Sequence, residues 1–201
     1  IKMNITDLND DCLAKIFSYL DIYSLIDVRD VCERFQEIAD MNLTHFKKFT
    51  VSFGKIQVCR LEEIMSFIGP NLRDLSISIG FCIRKELTLE VLQPISHYCT
   101  NLKKLTIHYL RMDASLTDYL KQIVENVSEL DISYCILDSS VNDLFACCKK
   151  LETLIFLGSS AFYVNDLRNL ENLKVLKVDQ DCDPVIFQWQ AEHNKNLKVE
   201  Y

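Results

Sequence analysis

The chain has 201 residues, enough for one sizeable core or for an elongated domain with a small appendage. Its 22 basic against 29 acidic residues leave a net charge of −7, which argues against nucleic acid or an anionic membrane as a partner. Nine cysteines with no CxxC pair point to reduced thiols rather than a disulfide framework, and so to a cytoplasmic or nuclear setting.

Residues 8–40 read as helices. Asn9 caps the first, and Asp10 and Asp11 stand in its first turn, where the helix dipole favours them. Leu8 and Leu13 occupy the two positions of a hydrophobic staple. In CLAKIFSYL, residues 12–20, the side chains of Leu13, Ile16, Phe17 and Leu20 fall at i, i+3, i+4 and i+7 and form one apolar stripe. Asp21 caps a second helix. Leu25, Val28, Val31, Cys32, Phe35 and Ile38 carry an apolar face onward across a break into a third helix. A segment this short rarely folds alone. Its apolar surface has to be covered partly by the units that follow and partly by another chain.

From residue 45 a period emerges. HFKKFTV, NLRDLSI, NLKKLTI, NVSELDI, KLETLIF, NLKVLKV and a clipped NLKVEY share the pattern L-x-x-L-x-(L/I/V). The leading apolar residues Phe46, Leu72, Leu102, Val127, Leu151, Leu173 and Leu197 are 26, 30, 25, 24, 22 and 24 apart, close to the spacing of leucine-rich repeats. Within each copy the last two apolar positions have strand spacing. Helical stripes lie between copies: Leu61, Ile64, Met65 and Ile68; Leu116, Leu120, Ile123 and Val124; Val141, Leu144, Phe145 and Cys148. Each unit is a strand followed by a helix that must stack on its neighbours. No apolar run nears the roughly 20 residues needed to span a bilayer. The only basic clusters are short pairs such as Lys47-Lys48 and Lys149-Lys150.

If Leu75 and Ile77 face inward, Asp74, Ser76 and Ser78 face outward. The same phase exposes Lys104, Thr106 and His108; Glu129, Asp131 and Ser133; Thr153, Ile155 and Leu157; and Val175, Lys177 and Asp179. An acidic middle would sit beside a greasy patch. The substrate-binding candidates are therefore His108, Asp131, Ile155, Leu157 and Val175, for a target with an apolar anchor flanked by basic residues. Trp189 and Pro184 suit a cap over the last repeat. His45, His97, His108 and His193 have no metal-ligand spacing, and no phosphate-cradling loop is present. No catalytic residue, cofactor or metal is expected; a Cys-His pair is a remote alternative.

Two resemblances follow. The repeats resemble cysteine-containing leucine-rich repeats: Cys99 and Cys148 precede the leading Leu by three, and Cys135 takes the Cys/Asn position, where other copies carry Gly80, Leu110, Ser159 and Asp181. Small buried hydrophobes are the ordinary role for such thiols. Residues 8–39, LNDDCLAKIFSYLDIYSLIDVRDVCERFQEIA, resemble an F-box, with Asn9 where the family usually has Pro. The resemblance implies an α/β architecture: a three-helix F-box over 1–42, then a leucine-rich-repeat solenoid over 43–201 of about six strand-helix units, the last incomplete, with parallel strands on the concave face and helices on the convex face. It implies the substrate-recognition subunit of a cullin-based (SCF-type) ubiquitin ligase, docking the S-phase kinase-associated adaptor through Leu8, Leu13, Ile16, Phe17, Leu20, Leu25, Val31 and Phe35, with an unknown protein as substrate. The alternative is a non-catalytic scaffold, or an adaptor-binding protein acting outside ubiquitin ligases.

Overall fold

The computed structural model describes residues 4–159, 167, 169–179, 194 and 196–201. The N-terminal part holds three helices: α1 (Asp10–Phe17), α2 (Ile22–Arg29) and α3 (Glu33–Leu43). The caps act as expected. Asn9 Oδ1 accepts from the Cys12 amide at 2.9 Å, and Asp21 Oδ1 accepts from the Ser24 amide at 2.9 Å. The break between α2 and α3 falls at residues 30–32. Two arginines fasten the helices together. Arg34 on α3 donates to the carbonyls of Thr6 and Leu8 and to Asp10, pinning the entry strand of the chain. Arg29 on α2 pairs with Asp40 on α3 at 2.5 Å, and its guanidinium lies 3.9 Å from the centre of the Phe67 ring.

Strands and helices then alternate: β1 (Lys48–Ser52), α4 (Leu61–Ile68), β2 (Asp74–Ser78), α5 (Lys85–Tyr98), β3 (Lys104–His108), β4 (Arg111–Met112), α6 (Ala114–Val124), β5 (Glu129–Asp131), β6 (Ile136–Leu137), α7 (Val141–Cys147), β7 (Thr153–Ile155), β8 (Val175–Lys177) and β9 (Lys198–Glu200). Seven strands form one parallel sheet in the order β1-β2-β3-β5-β7-β8-β9, and β4 pairs with β6 in a small second sheet. A parallel pair needs a crossover, which α4, α5, α6 and α7 supply between β1 and β7.

The register runs straight across the sheet. Leu75, Leu105, Leu130, Leu154 and Leu176 form one buried row. Between these leucines the strand residues are half-buried, so one face of the sheet is packed and the other is open. Helix stripes cover the packed face: Leu61, Ile64, Met65 and Ile68 of α4 are all fully buried. The strand phase inferred from sequence is thus correct at every outward position but one. Ser133 is buried, because its hydroxyl donates to Asp131 Oδ1 at 2.6 Å and accepts from the Leu157 amide at 3.1 Å. Trp189, Pro184, Asp181 and His193 lie outside the described residues.

At the cysteine position of the repeat two copies make the same bond. The Cys135 thiol donates to the Ile107 carbonyl of the preceding unit at 3.2 Å, and the Ser159 hydroxyl donates to the Ile132 carbonyl at 2.8 Å. Ser159 therefore replaces Cys at that position without breaking the pattern.

Candidate functional site

The helical segment divides its apolar residues into two groups. Leu13, Phe17, Leu25 and Phe35 are buried, and the Phe17 and Phe35 rings meet edge to face at 5.2 Å between centres. These four build the segment's own core. Four of the eight side chains expected to dock the adaptor thus pack inside the segment: three packed helices need an interior, and these side chains supply it. Leu8 and Leu20 are half-buried. Ile16 is 40 % exposed and Val31 64 % exposed. Tyr19 is more exposed still, with the Lys15 ammonium 5.0 Å from its ring centre. Sequence reasoning missed Tyr19 because it lies off the i, i+3, i+4 stripe. Beside this segment, a groove of about 440 Å³ runs between Phe17, Leu20 and Leu25 on one side and Phe46, Lys47 and Lys48 on the other.

The open face of the sheet carries the expected target-binding residues. His108 and Asp131 are brought together, with Nε2 and Oδ2 3.2 Å apart, but the pair is not aligned for a hydrogen bond and His108 Nε2 has no partner. Ile155 stands next to Asp131 in register, and Val175 next to Thr153. Ile155, Leu157 and Val175 are half-buried rather than freely exposed. Two acids of these strands, Asp74 and Glu129, already have a lysine beside them. Lys48 pairs with Asp74 at 3.3 Å and Lys104 with Glu129 at 2.5 Å. The Glu129 hydrogen bond raises the Lys104 ammonium above its usual range. These partners sit opposite one another in adjacent strands, so the register neutralises what the linear sequence counts as acidic.

An aromatic ladder borders this face and was not foreseen. Tyr109 and Tyr134 follow β3 and β5 at equivalent positions and stack at 5.6 Å with an interplanar angle of 14°. They are 44 % and 46 % exposed. Phe81 meets Tyr109 edge to face at 6.2 Å, and His108 meets both tyrosines edge to face. Both tyrosines have left-handed backbones, with φ of 58° and 57°. Bulky residues seldom adopt that conformation. In the next unit Gly158 takes it, at φ 62°, and a Cβ there would lie 2.6 Å from the Tyr134 ring. The signal was present in the sequence as IHY and ISY, with Tyr109 one residue beyond β3 and Tyr134 three beyond β5.

Burial pushes the Cys99, Cys135 and Cys148 thiols up to about 12, far from the range of a thiolate nucleophile. Cys12, Cys32, Cys59 and Cys82 are exposed. Among the described residues, no cluster of His, Cys, Asp and Glu could hold a metal ion. No helix among them is long and apolar enough to cross a membrane.

A search of curated proteins returns no match for this chain. A family profile does match its N-terminal helices: residues 5–47, which hold the pinned entry strand, α1, α2 and α3, are an F-box domain.

Proposed function

We propose that this chain is the substrate receptor of a cullin-based ubiquitin ligase of the SCF type, with no catalytic step of its own. Its F-box domain would dock the S-phase kinase-associated adaptor and, through it, the cullin. Its strand-helix units would stack as a leucine-rich-repeat solenoid over residues 43–201 and hold a target protein on the open strand face. The chain would then act by proximity, keeping a substrate lysine near the charged ubiquitin carrier. The observation that carries this reading is the F-box domain at residues 5–47, with Ile16 and Val31 standing exposed on it.

Leu8, Ile16, Leu20 and Val31 are the proposed adaptor contacts, while Leu13, Phe17, Leu25 and Phe35 shape the surface from beneath. His108, Asp131, Ile155, Leu157 and Val175 are the proposed target contacts. Affinity purification from cells tests the assignment: a receptor brings down both adaptor and cullin. Recovery of neither, or of the adaptor alone, supports a scaffold or a role outside ubiquitin ligases. The double substitution Ile16→Asp, Val31→Asp should weaken adaptor capture at least 10-fold with an unchanged melting temperature. Wild-type capture by that variant would show that the contact lies elsewhere.

A further inference from the structure

In the linear sequence Lys47, Arg73, Lys103 and Lys150 are scattered over a hundred residues of an acidic chain. The fold gathers them along the edge where the strands begin, a grouping that the short basic pairs of the sequence do not reveal. The amides of Arg73, Lys103, Ser128, Glu152 and Lys174 donate in succession to the carbonyls of Lys47, Arg73, Lys103, Ser128 and Glu152, each at 2.8 Å. These residues therefore stand one strand spacing apart, about 4.8 Å. Lys47, Arg73 and Lys103 make three consecutive cations. Lys150 joins them through Asn126: its ammonium donates to Asn126 Oδ1 at 2.6 Å, and the Lys103 ammonium donates to the Asn126 carbonyl at 3.4 Å. Both lysines line a notch of about 340 Å³, shared with Ser128, Glu152 and Asn172.

The partners of these cations set them apart. One residue further into the sheet, Lys and acid alternate and pair. Along the edge Lys47, Arg73, Lys103 and Lys150 donate to neutral carbonyl oxygens. Lys47 reaches the Thr44 carbonyl at 2.9 Å and Arg73 the Asn101 carbonyl at 2.8 Å. Glu152, the acid in the notch, is paired with Lys174 at 2.9 Å. Among the described residues, none of the four edge cations pairs with a carboxylate. The Lys103 and Lys150 ammoniums converge on Asn126 and repel one another, and an anionic partner would relieve that repulsion.

We propose that this edge is a docking strip for an acidic segment of a partner polypeptide, rich in Asp and Glu, centred on Lys103 and Lys150. The net charge of −7 favours a short peptide over a nucleic acid. A long polyanion meets the repulsion of the whole molecule, whereas a few carboxylates within a Debye length, about 10 Å at 0.1 M salt, meet only the strip. Three of the four cations are lysines, which serve carboxylates as point charges without demanding a fixed geometry. The proposal rests on the receptor reading only in naming the partner a target.

The test is fluorescence anisotropy of a labelled octaglutamate peptide against the full chain at 50 mM salt. Saturable binding is expected, weakened at least 10-fold by Lys103→Glu, Lys150→Glu. The control Lys15→Glu, Lys55→Glu carries the same change in net charge away from the strip and should keep binding within about 3-fold. Should the first variant fail to fold, Arg73→Glu carries the test and is expected to weaken binding at least 3-fold. Equal losses from strip and control variants, or a thymidine dodecamer bound as tightly as the peptide, would overturn the proposal. Adaptor capture by the strip variant separates the two readings. Retained capture with lost peptide binding supports the strip, and peptide binding by a chain that captures no adaptor removes only the receptor role.

Discussion

Phe17 shows how one side chain can belong to a motif without belonging to its surface. It lies on the same helical stripe as Ile16 and Leu20, yet it is buried against Phe35 while Ile16 is open. Truncating it leaves a cavity among three helices. Phe17→Ala should destabilise the chain by about 3–5 kcal/mol, the usual cost for a buried aromatic, measured by urea denaturation. Loss of adaptor capture in that variant would follow from unfolding. Unchanged stability with lost capture would return Phe17 to the contact surface. The stripe was legible in the sequence because a 3.6-residue period marks a face. How deep each residue sits on that face depends on how the three helices pack, and no local pattern encodes it. Ser133 makes the same point on a strand: its phase says outward, and the Asp131 carboxylate and Leu157 amide draw it in.

At the scale of the element, α6 rests on an unusually well-held cap. Asp113 Oδ1 accepts from the amides of Ser115 and Leu116, and Oδ2 accepts from the Lys85 ammonium of α5 at 2.8 Å. Burial alone would raise this carboxyl, but Lys85, the Ser115 hydroxyl and the Leu116 amide outweigh it and hold the group at about 2, below its ordinary 3.8. A depressed carboxyl adds stability that is full above the unfolded value and is lost as pH falls from about 4 to about 2. With solvent screening of a partly exposed pair, that contribution is about 1 kcal/mol. Asp113→Asn keeps a capping side chain and removes the charge. Its stability should fall short of wild type by about 1 kcal/mol at pH 7 and converge on it near pH 2, followed by denaturation at several pH values. A gap that persists at pH 2 would assign the cap to shape rather than charge. Most elements were legible: the L-x-x-L-x-L alternation fixed strand phase, and the stripes of α4, α6 and α7 were read from their spacing. The helix α5 was not, since Pro94 stands inside it and reads as a breaker.

Across the whole molecule the recurring units align residues that lie 22 to 30 positions apart, and this is where reading the sequence fell short. Neither the pairing of Lys104 with Glu129 nor the gathering of Lys47, Arg73, Lys103 and Lys150 along one edge is visible until strands are set side by side. The aromatic ladder likewise needs Tyr109 and Tyr134 to be neighbours. The same stacking distributes the thiols into two chemically distinct sets. Cys99 is sealed in the β2-α5 unit and Cys135 and Cys148 in the β5-α7 unit, with their protons held to about 12, while Cys12, Cys32, Cys59 and Cys82 meet solvent. A brief pulse of iodoacetamide at neutral pH, read by peptide mass spectrometry, should alkylate the second set and spare the first. Identical rates for both sets would contradict the sealed arrangement. Because Cys99 sits in the β2-α5 unit and Cys135 and Cys148 share the β5-α7 unit, raising the urea concentration below the global midpoint should release Cys99 separately from the other two. The chain thus carries its own built-in reporters of which layer opens first.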